Sequence, residues 1–416
     1  MLKELFFIAT TASLLSCAIA PPEQELSAEV LQLELGAMSD YGASPWYTAD
    51  IAIGENTLKL SPDSGAAFIW ATADVCTTTA CDAHHKVDTS QAGFTWVDKT
   101  PTERSFGPWG SMYTMTGAVD FNNDGSNVVE IDFFASVKYT GAQFEYLAWD
   151  GGIGFPSTSA GVTPGSDFYF NELLKNGLVN SAEFSMVTDL DTGRGQFILG
   201  KSENTLYDPS TAIRLEPNTS GSINYIWGTD LYSTYLGNTS IPSLTDARFY
   251  LDSGSSLFKG DSNYITPILE LLYQYTDGSG DRIFDKVFDG SGQWVSLVYS
   301  KNRGPNDFPS GTLPDLSLMM GQSCNAAEGL SAKITLSPEQ FSYYVEIGER
   351  EGNWVPAFSV LNGVGGLLVG STFMDLFYTT FQYQQIDEDT LNQGDMYLYL
   401  TSGERPSSVV CIANDR

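Results

Sequence analysis

Two stretches carry residues that can do chemistry together. "KLSPDSGAAFIW" (59–70) and "FYLDSGSSLFKG" (249–260) each place Asp-Ser-Gly inside an apolar run. One such turn means little. Two, one in each half of the chain, meet a specific demand. Carboxyls held a few ångströms apart cannot both ionise easily, so one binds its proton more tightly and the other less. The ionised member takes a proton from water, and the protonated member polarises a carbonyl. Such a pair hydrolyses an amide without a metal or a nucleophilic side chain. Asp63 and Asp252 are therefore the candidate catalytic pair, with Ser64, Gly65, Ser253, Gly254 and Ser255 as candidate supports. Glycine lets the backbone approach and aim an N–H at a carboxylate, and a hydroxyl can lock one turn to its neighbour. The halves are not equal. Ser61-Pro62 precedes the first Asp where Tyr250-Leu251 precedes the second, and Ala66-Ala67 stands where the second copy has Ser255-Ser256.

Other chemistries find less support. His84 and His85 are the chain's two histidines. Adjacent residues rarely converge on one metal, so they read as solvated loop residues, and no metal or cofactor is expected. Scarce histidine also disfavours Ser-His and Cys-His catalysis. "NGVGGLLVGS" (362–371) resembles a phosphate loop but lacks its Lys-Ser/Thr, and close backbone approach between strands explains it better. With 51 acidic against 20 basic residues and a formal charge of −31, nucleic acid is excluded as a partner. The same acidity suits work at low pH, and equally suits simple solubility.

Residues 1–20 read as a signal peptide, with Lys3, the apolar "LFFIATTASLL" and a small-x-small site at Ala18-Ile19-Ala20. That run is too short for a membrane span. Secretion is the expectation, with a vacuolar destination or a lipid anchor through Cys17 as alternatives. The remaining cysteines, Cys76, Cys81, Cys324 and Cys411, suggest two disulfides in an exported chain. Cys76 and Cys81 are close enough to staple one loop, which leaves Cys324 with Cys411 by elimination. Asn218 and Asn238 open N-glycosylation sequons.

The elements that must position the two carboxylates are mostly strands. Runs such as 46–54, 128–139, 194–200, 247–254, 366–371 and 396–402 are rich in β-branched and aromatic residues and bounded by turn residues. Two helices are expected, over 167–177 and over 262–275 with Ser262 as N-cap. Each half repeats one order: strand, Asp-Ser-Gly, then an apolar run ending in Gly154 or Gly370. A length of 416 residues suits two domains or one bilobal unit. The boundary falls in "LEPNTSGS" (215–222).

Taken in order, these pieces resemble the pepsin-like aspartic proteases. The resemblance covers roughly 45–402. It rests on Asp63-Ser64-Gly65 with Trp70, Cys76 and Cys81, "MTG" (115–117), "WDGGIGF" (149–155), "GLVNSAEFSM" (177–186), "FILG" (197–200), Asp252-Ser253-Gly254-Ser255-Ser256, "TLPDLSL" (312–318) and "LLVGSTFMDLFYTTF" (367–381). It implies a mostly β, bilobal pepsin-like acid protease fold, with two β-barrel-like lobes around a substrate cleft. The lobes would span 46–218 and 219–416, after a short acidic segment at 21–45. It implies an aspartic endopeptidase acting on polypeptide substrates as a monomer. The alternative is a pepsin-like binding or inhibitor protein of weak or no activity.

Three departures from the family pattern set further expectations. Pro62 lacks an N–H and should remove one ladder bond beside the pair. Ala66 lacks the hydroxyl that usually supports the first Asp, as in retroviral aspartic proteases. The hairpin that closes over substrate should fall at 104–117, with Phe106, Trp109 or Tyr113 in the family's Tyr position, or as mere packing residues. Family precursors also carry a basic prosegment. Residues 21–45 hold no Lys or Arg, and "LQLEL" alternates like a half-buried strand. Activity without cleavage beyond signal removal is expected.

Overall fold

The segment containing "LQLEL" does form a strand. β1 (Glu29–Leu35) alternates buried and exposed residues, with Leu31 and Leu33 turned inward. It pairs antiparallel with both β2 (Tyr47–Ile53) and β10 (Arg194–Leu199), so it is part of the main sheet. The computed structural model describes residues 28–36, 47–105, 110–122, 128–201, 206–221, 223–242, 247–288, 292–301, 304–308, 313–348, 350–403 and 405–413.

The first half continues with β3 (Asn56–Asp63), β4 (Ile69–Thr72), β5 (Thr95–Ser105), β6 (Ser111–Asn122), β7 (Val128–Tyr139), β8 (Gly151–Gly154) and β9 (Glu183–Asp189). The first Asp-Ser-Gly turn links β3 to β4, yet these strands do not pair with each other. β8 slots between them, parallel to β3 with Asp63 opposite Gly154, and antiparallel to β4.

The second half repeats that plan with β11 (Trp227–Leu236), β12 (Arg248–Leu251), β13 (Phe258–Gly260), β14 (Leu316–Met320), β15 (Leu330–Leu336), β16 (Phe358–Val360) and β17 (Gly366–Val369). It ends with β18 (Tyr378–Gln385), β19 (Leu391–Tyr399) and β20 (Ser408–Ala413). Here β17 slots between β12 and β13, parallel to the first and antiparallel to the second. The glycine-rich run at 362–371 is thus the inserted strand and its approach.

A 15-stranded sheet runs from strands of the second half through β19, β18, β9, β10 and β1 into the first half. A nine-stranded sheet lies wholly in the second half. The fold is mostly β, as expected. The two predicted helices are α1 (Tyr169–Lys175) and α2 (Ser262–Tyr273). Asp261, not Ser262, precedes α2. Its carboxylate does not cap the helix but accepts hydrogen bonds from Gly363 N and Gly365 N, tying the helix start to the loop before β17.

Candidate active site

Both Asp-Ser-Gly turns lie at the ends of strands held on either side by pairing, and they meet. Ser64 N donates to Ser253 Oγ at 2.9 Å, and Ser253 N donates to Ser64 Oγ at 2.9 Å. Ser64 Oγ in turn donates to Leu251 O at 3.1 Å, and Ser253 Oγ donates to Pro62 O at 2.9 Å. Each hydroxyl therefore bridges from one turn to the strand feeding the other. Every donor is used, and the crossing is nearly symmetric.

This crossing brings the carboxyls together. Gly65 N donates to Asp63 Oδ1 at 2.8 Å, and Gly254 N donates to Asp252 Oδ1 at 3.0 Å. A Cβ on Gly65 would stand 2.3 Å from Asp252 Oδ1, and one on Gly254 2.2 Å from Asp63 Oδ2. Only glycine leaves room for each carboxyl to lie across the opposite turn. Asp63 and Asp252 thus lie close enough for each carboxyl to act on the other. Burial, and then the negative charge of Asp252, hold the Asp63 carboxyl well above the ordinary carboxylate range.

The pair is asymmetric. Ser255 Oγ donates to Asp252 Oδ2 at 2.7 Å, whereas Ala66 brings Asp63 its backbone N–H but no hydroxyl. Both oxygens of Asp252 thus accept from donors. Both Asp residues line a cavity of about 480 Å³. Trp70, Tyr225, Leu361, Val364 and Leu368 give it apolar walls, and Ser105 at the end of β5 reaches it.

Two β-halves of one topology, each ending a strand in Asp-Ser-Gly, here meet with each carboxyl lying over the opposite turn's glycine. The sequence profile of the family described as eukaryotic aspartyl protease matches residues 46–388. The chain belongs to that family. Among its relatives, rat (Rattus norvegicus) cathepsin E is 28% identical over 240 residues, covering 54% of this chain and 56% of the relative. An aspartic protease of Phaffia rhodozyma is 23% identical over 336 residues, covering 79% and 74%. Chicken (Gallus gallus) pepsin A is 24% identical over 245 residues, covering 58% and 64%. The chain thus spans little more than half the length of rat cathepsin E.

Several expectations need correction. Pro62 costs no ladder bond. Its carbonyl points away from β8 to Ser253 Oγ, and within a strand the nitrogen of the same residue points to the same side. Pairing of β3 with β2 has already ended at Leu60, so no acceptor waits there. His84 is not solvated. It is buried, its Nε2 donates to Phe144 O at 2.6 Å, and its Nδ1 lies 3.7 Å from Asp150 Oδ1. His85 is exposed but lies 3.1 Å from Asp150 Oδ2, and its backbone N donates to Asp150 Oδ1 at 2.8 Å. The adjacent histidines converge on a buried carboxylate that needs donors. Burial alone would raise that carboxyl, but the nearby His84 ring and the bonds from Lys59 N and His85 N bring it below the ordinary range.

Of the three hairpin aromatics, Phe106 and Trp109 lie outside the described residues. Tyr113, on β6, pairs across to Glu103 with its ring 5.0 Å from Lys138 Nζ, and it does not line the cavity. The hairpin is anchored by Arg104, whose guanidinium sits 3.4 Å from the Phe134 ring centroid and whose Nε donates to Thr114 Oγ1 at 3.0 Å.

Both disulfides form as expected, Cys76–Cys81 and Cys324–Cys411. Asn238 sits exposed in the turn after β11. Asn218 is half-buried and already engaged, its amide donating to Asp230 Oδ1 at 2.6 Å, so Asn238 is the more accessible sequon. Sequence reasoning missed Lys259, which lines the cavity beside the pair. The available signal was a lone cation in the apolar run "SSLFKG". Among the described residues, no helix is long and apolar enough to cross a membrane.

Proposed function

We propose that this chain is an exported aspartic endopeptidase that cleaves polypeptides at acidic pH, with Asp63 and Asp252 sharing one proton. The observation that carries the reading is the crossed Ser64–Ser253 bonding, which brings each carboxyl over the opposite turn at one wall of an apolar cavity. Asp252, with donors on both oxygens, serves as the base. Asp63, held protonated by burial and by its neighbour's charge, serves as the acid.

The chemistry follows from that assignment. A water between the carboxyls attacks the scissile carbonyl carbon and gives its proton to Asp252. The carbonyl oxygen receives the Asp63 proton, which forms a neutral gem-diol. Proton transfer to the amide nitrogen then lets the C–N bond break, releasing an amine and a carboxylic acid. Activity is lost once both carboxyls ionise, because no acid remains for the carbonyl. In this reading the lobes are 46–218 and 219–416, the enzyme acts as a monomer, and the disulfides fit an oxidising compartment.

The test is digestion of a denatured protein across pH 2–8, with and without pepstatin, a transition-state analogue. Cleavage confined to acid and abolished by pepstatin is expected. Pepstatin binding without cleavage at any pH would favour the binding-protein alternative.

A further inference from the structure

The second Asp-Ser-Gly turn has a companion that the first lacks. Lys259, on β13, occupies the place after Asp252 that Trp70 occupies after Asp63. Ser255 likewise replaces Ala66. The two replacements touch: Lys259 Nζ donates to Ser255 Oγ at 2.9 Å, and Ser255 Oγ donates to Asp252 Oδ2 at 2.7 Å. Among the described residues lining the cavity, Lys259 is the only cation.

The order of donors matters. An ammonium can only donate, so Ser255 Oγ must accept from it. With one lone pair of Ser255 Oγ taken by the ammonium, its single hydroxyl proton points to Asp252 Oδ2 at 2.7 Å, and Asp252 accepts. A serine without the lysine could turn and accept from a protonated Asp252. With the lysine in place that state is disfavoured, both by hydrogen-bond direction and by charge.

We propose that Lys259 is a positioning residue for the pair: its ammonium, acting through the Ser255 hydroxyl, fixes the negative charge on Asp252 and leaves the shared proton on Asp63. This rests on the dyad reading above. The other titratable groups facing the site are few. Asp63, Asp252 and Tyr225 share the cavity wall with Lys259. The flanking strands β16 and β17 bring Ser359, Val360 and Leu368 and no charge. Asp261, in the turn from β13 to α2, is held by Gly363 N and Gly365 N. On α2, Glu270 is exposed and Tyr264 is bonded to Thr234. On β12, Tyr250 is buried and Arg248 is paired with Asp230. Burial pulls the Lys259 ammonium down, and the charges of Asp252 and Asp63 offset it, so in acid it carries its charge.

A nearby cation favours every loss of a proton from the pair. Removing it raises both ionisations, so both limbs of the pH profile move to higher pH. K259M and K259Q should displace both limbs of kcat/KM upward by about one pH unit, in line with the effect of an adjacent opposite charge. K259R, which keeps the charge, should stay within a few tenths of a unit. An unchanged profile in the neutral variants would overturn the proposal, and so would equal displacement by K259R. A second readout needs no turnover: NMR titration of protein labelled at the Asp carboxyl carbons, wild type against K259Q. Upward movement of the paired titration supports the role of Lys259 even if the wild type proves unable to cleave, which would sink the endopeptidase reading alone. Unmoved titration in K259Q overturns the proposal.

Discussion

At the residue scale, Asp63 links chemistry to stability. Its folded carboxyl is held above the ordinary range by burial and by Asp252. The folded chain therefore keeps a proton that the unfolded chain releases near pH 4. That contribution is complete below the unfolded pKa and is lost as pH rises through the folded one. Asp63→Asn removes a group that is costly only when charged. We expect the variant to gain thermal stability over wild type at pH 7, by several degrees, and to show little difference at pH 3. Thermal melts at the two pH values check this, and an equal shift at both would contradict it. The Asp-Ser-Gly residues were legible in the sequence because their types state the chemistry. Lys259 was not, because a single lysine in an apolar strand gains meaning only once β13 places it beside Ser255. His84 escaped for the same reason: its partner Asp150 lies far along the chain.

At the scale of elements, the inserted strands β8 and β17 fix both turns, and the crossed serine bonds join them. The strands were readable from their composition. Their order within the sheets was not, since the parallel pairing of β3 with β8 bridges distant segments. Pro62 shows the limit of local rules: its cost depended on which edge of β3 its nitrogen faced. Removing either hydroxyl strands the partner's buried N–H. Ser64→Ala and Ser253→Ala should each cost about 1–3 kcal/mol. Because the two bonds form one unit, the double variant should cost less than the sum. Denaturant unfolding of the cycle measures this coupling, and strict additivity would show that the crossing is not a unit.

At the scale of the molecule, the halves are joined beyond the two turns. Phe184 stacks on Phe381 with centroids 4.6 Å apart, and Trp227 Nε1 donates to Phe155 O at 2.8 Å. Tyr47, near the start of the first half, bonds Asp375 near the end of the second, and Thr188 Oγ1 donates to the same oxygen at 2.8 Å. The shared sheet runs through all of this, so the spacing of the carboxyls is set by the whole chain.

The central claim is that Asp63 and Asp252 work as one unit, and the most direct test is kcat/KM at acidic pH for Asp63→Asn, Asp252→Asn and the double variant. Residues that share one proton are not additive in their loss. Each single variant should lose at least about 10⁴-fold, with the double variant no worse than either, and all should keep the wild-type far-UV circular dichroism. A single variant that keeps a tenth or more of wild-type activity, or losses that multiply in the double variant, would contradict the account.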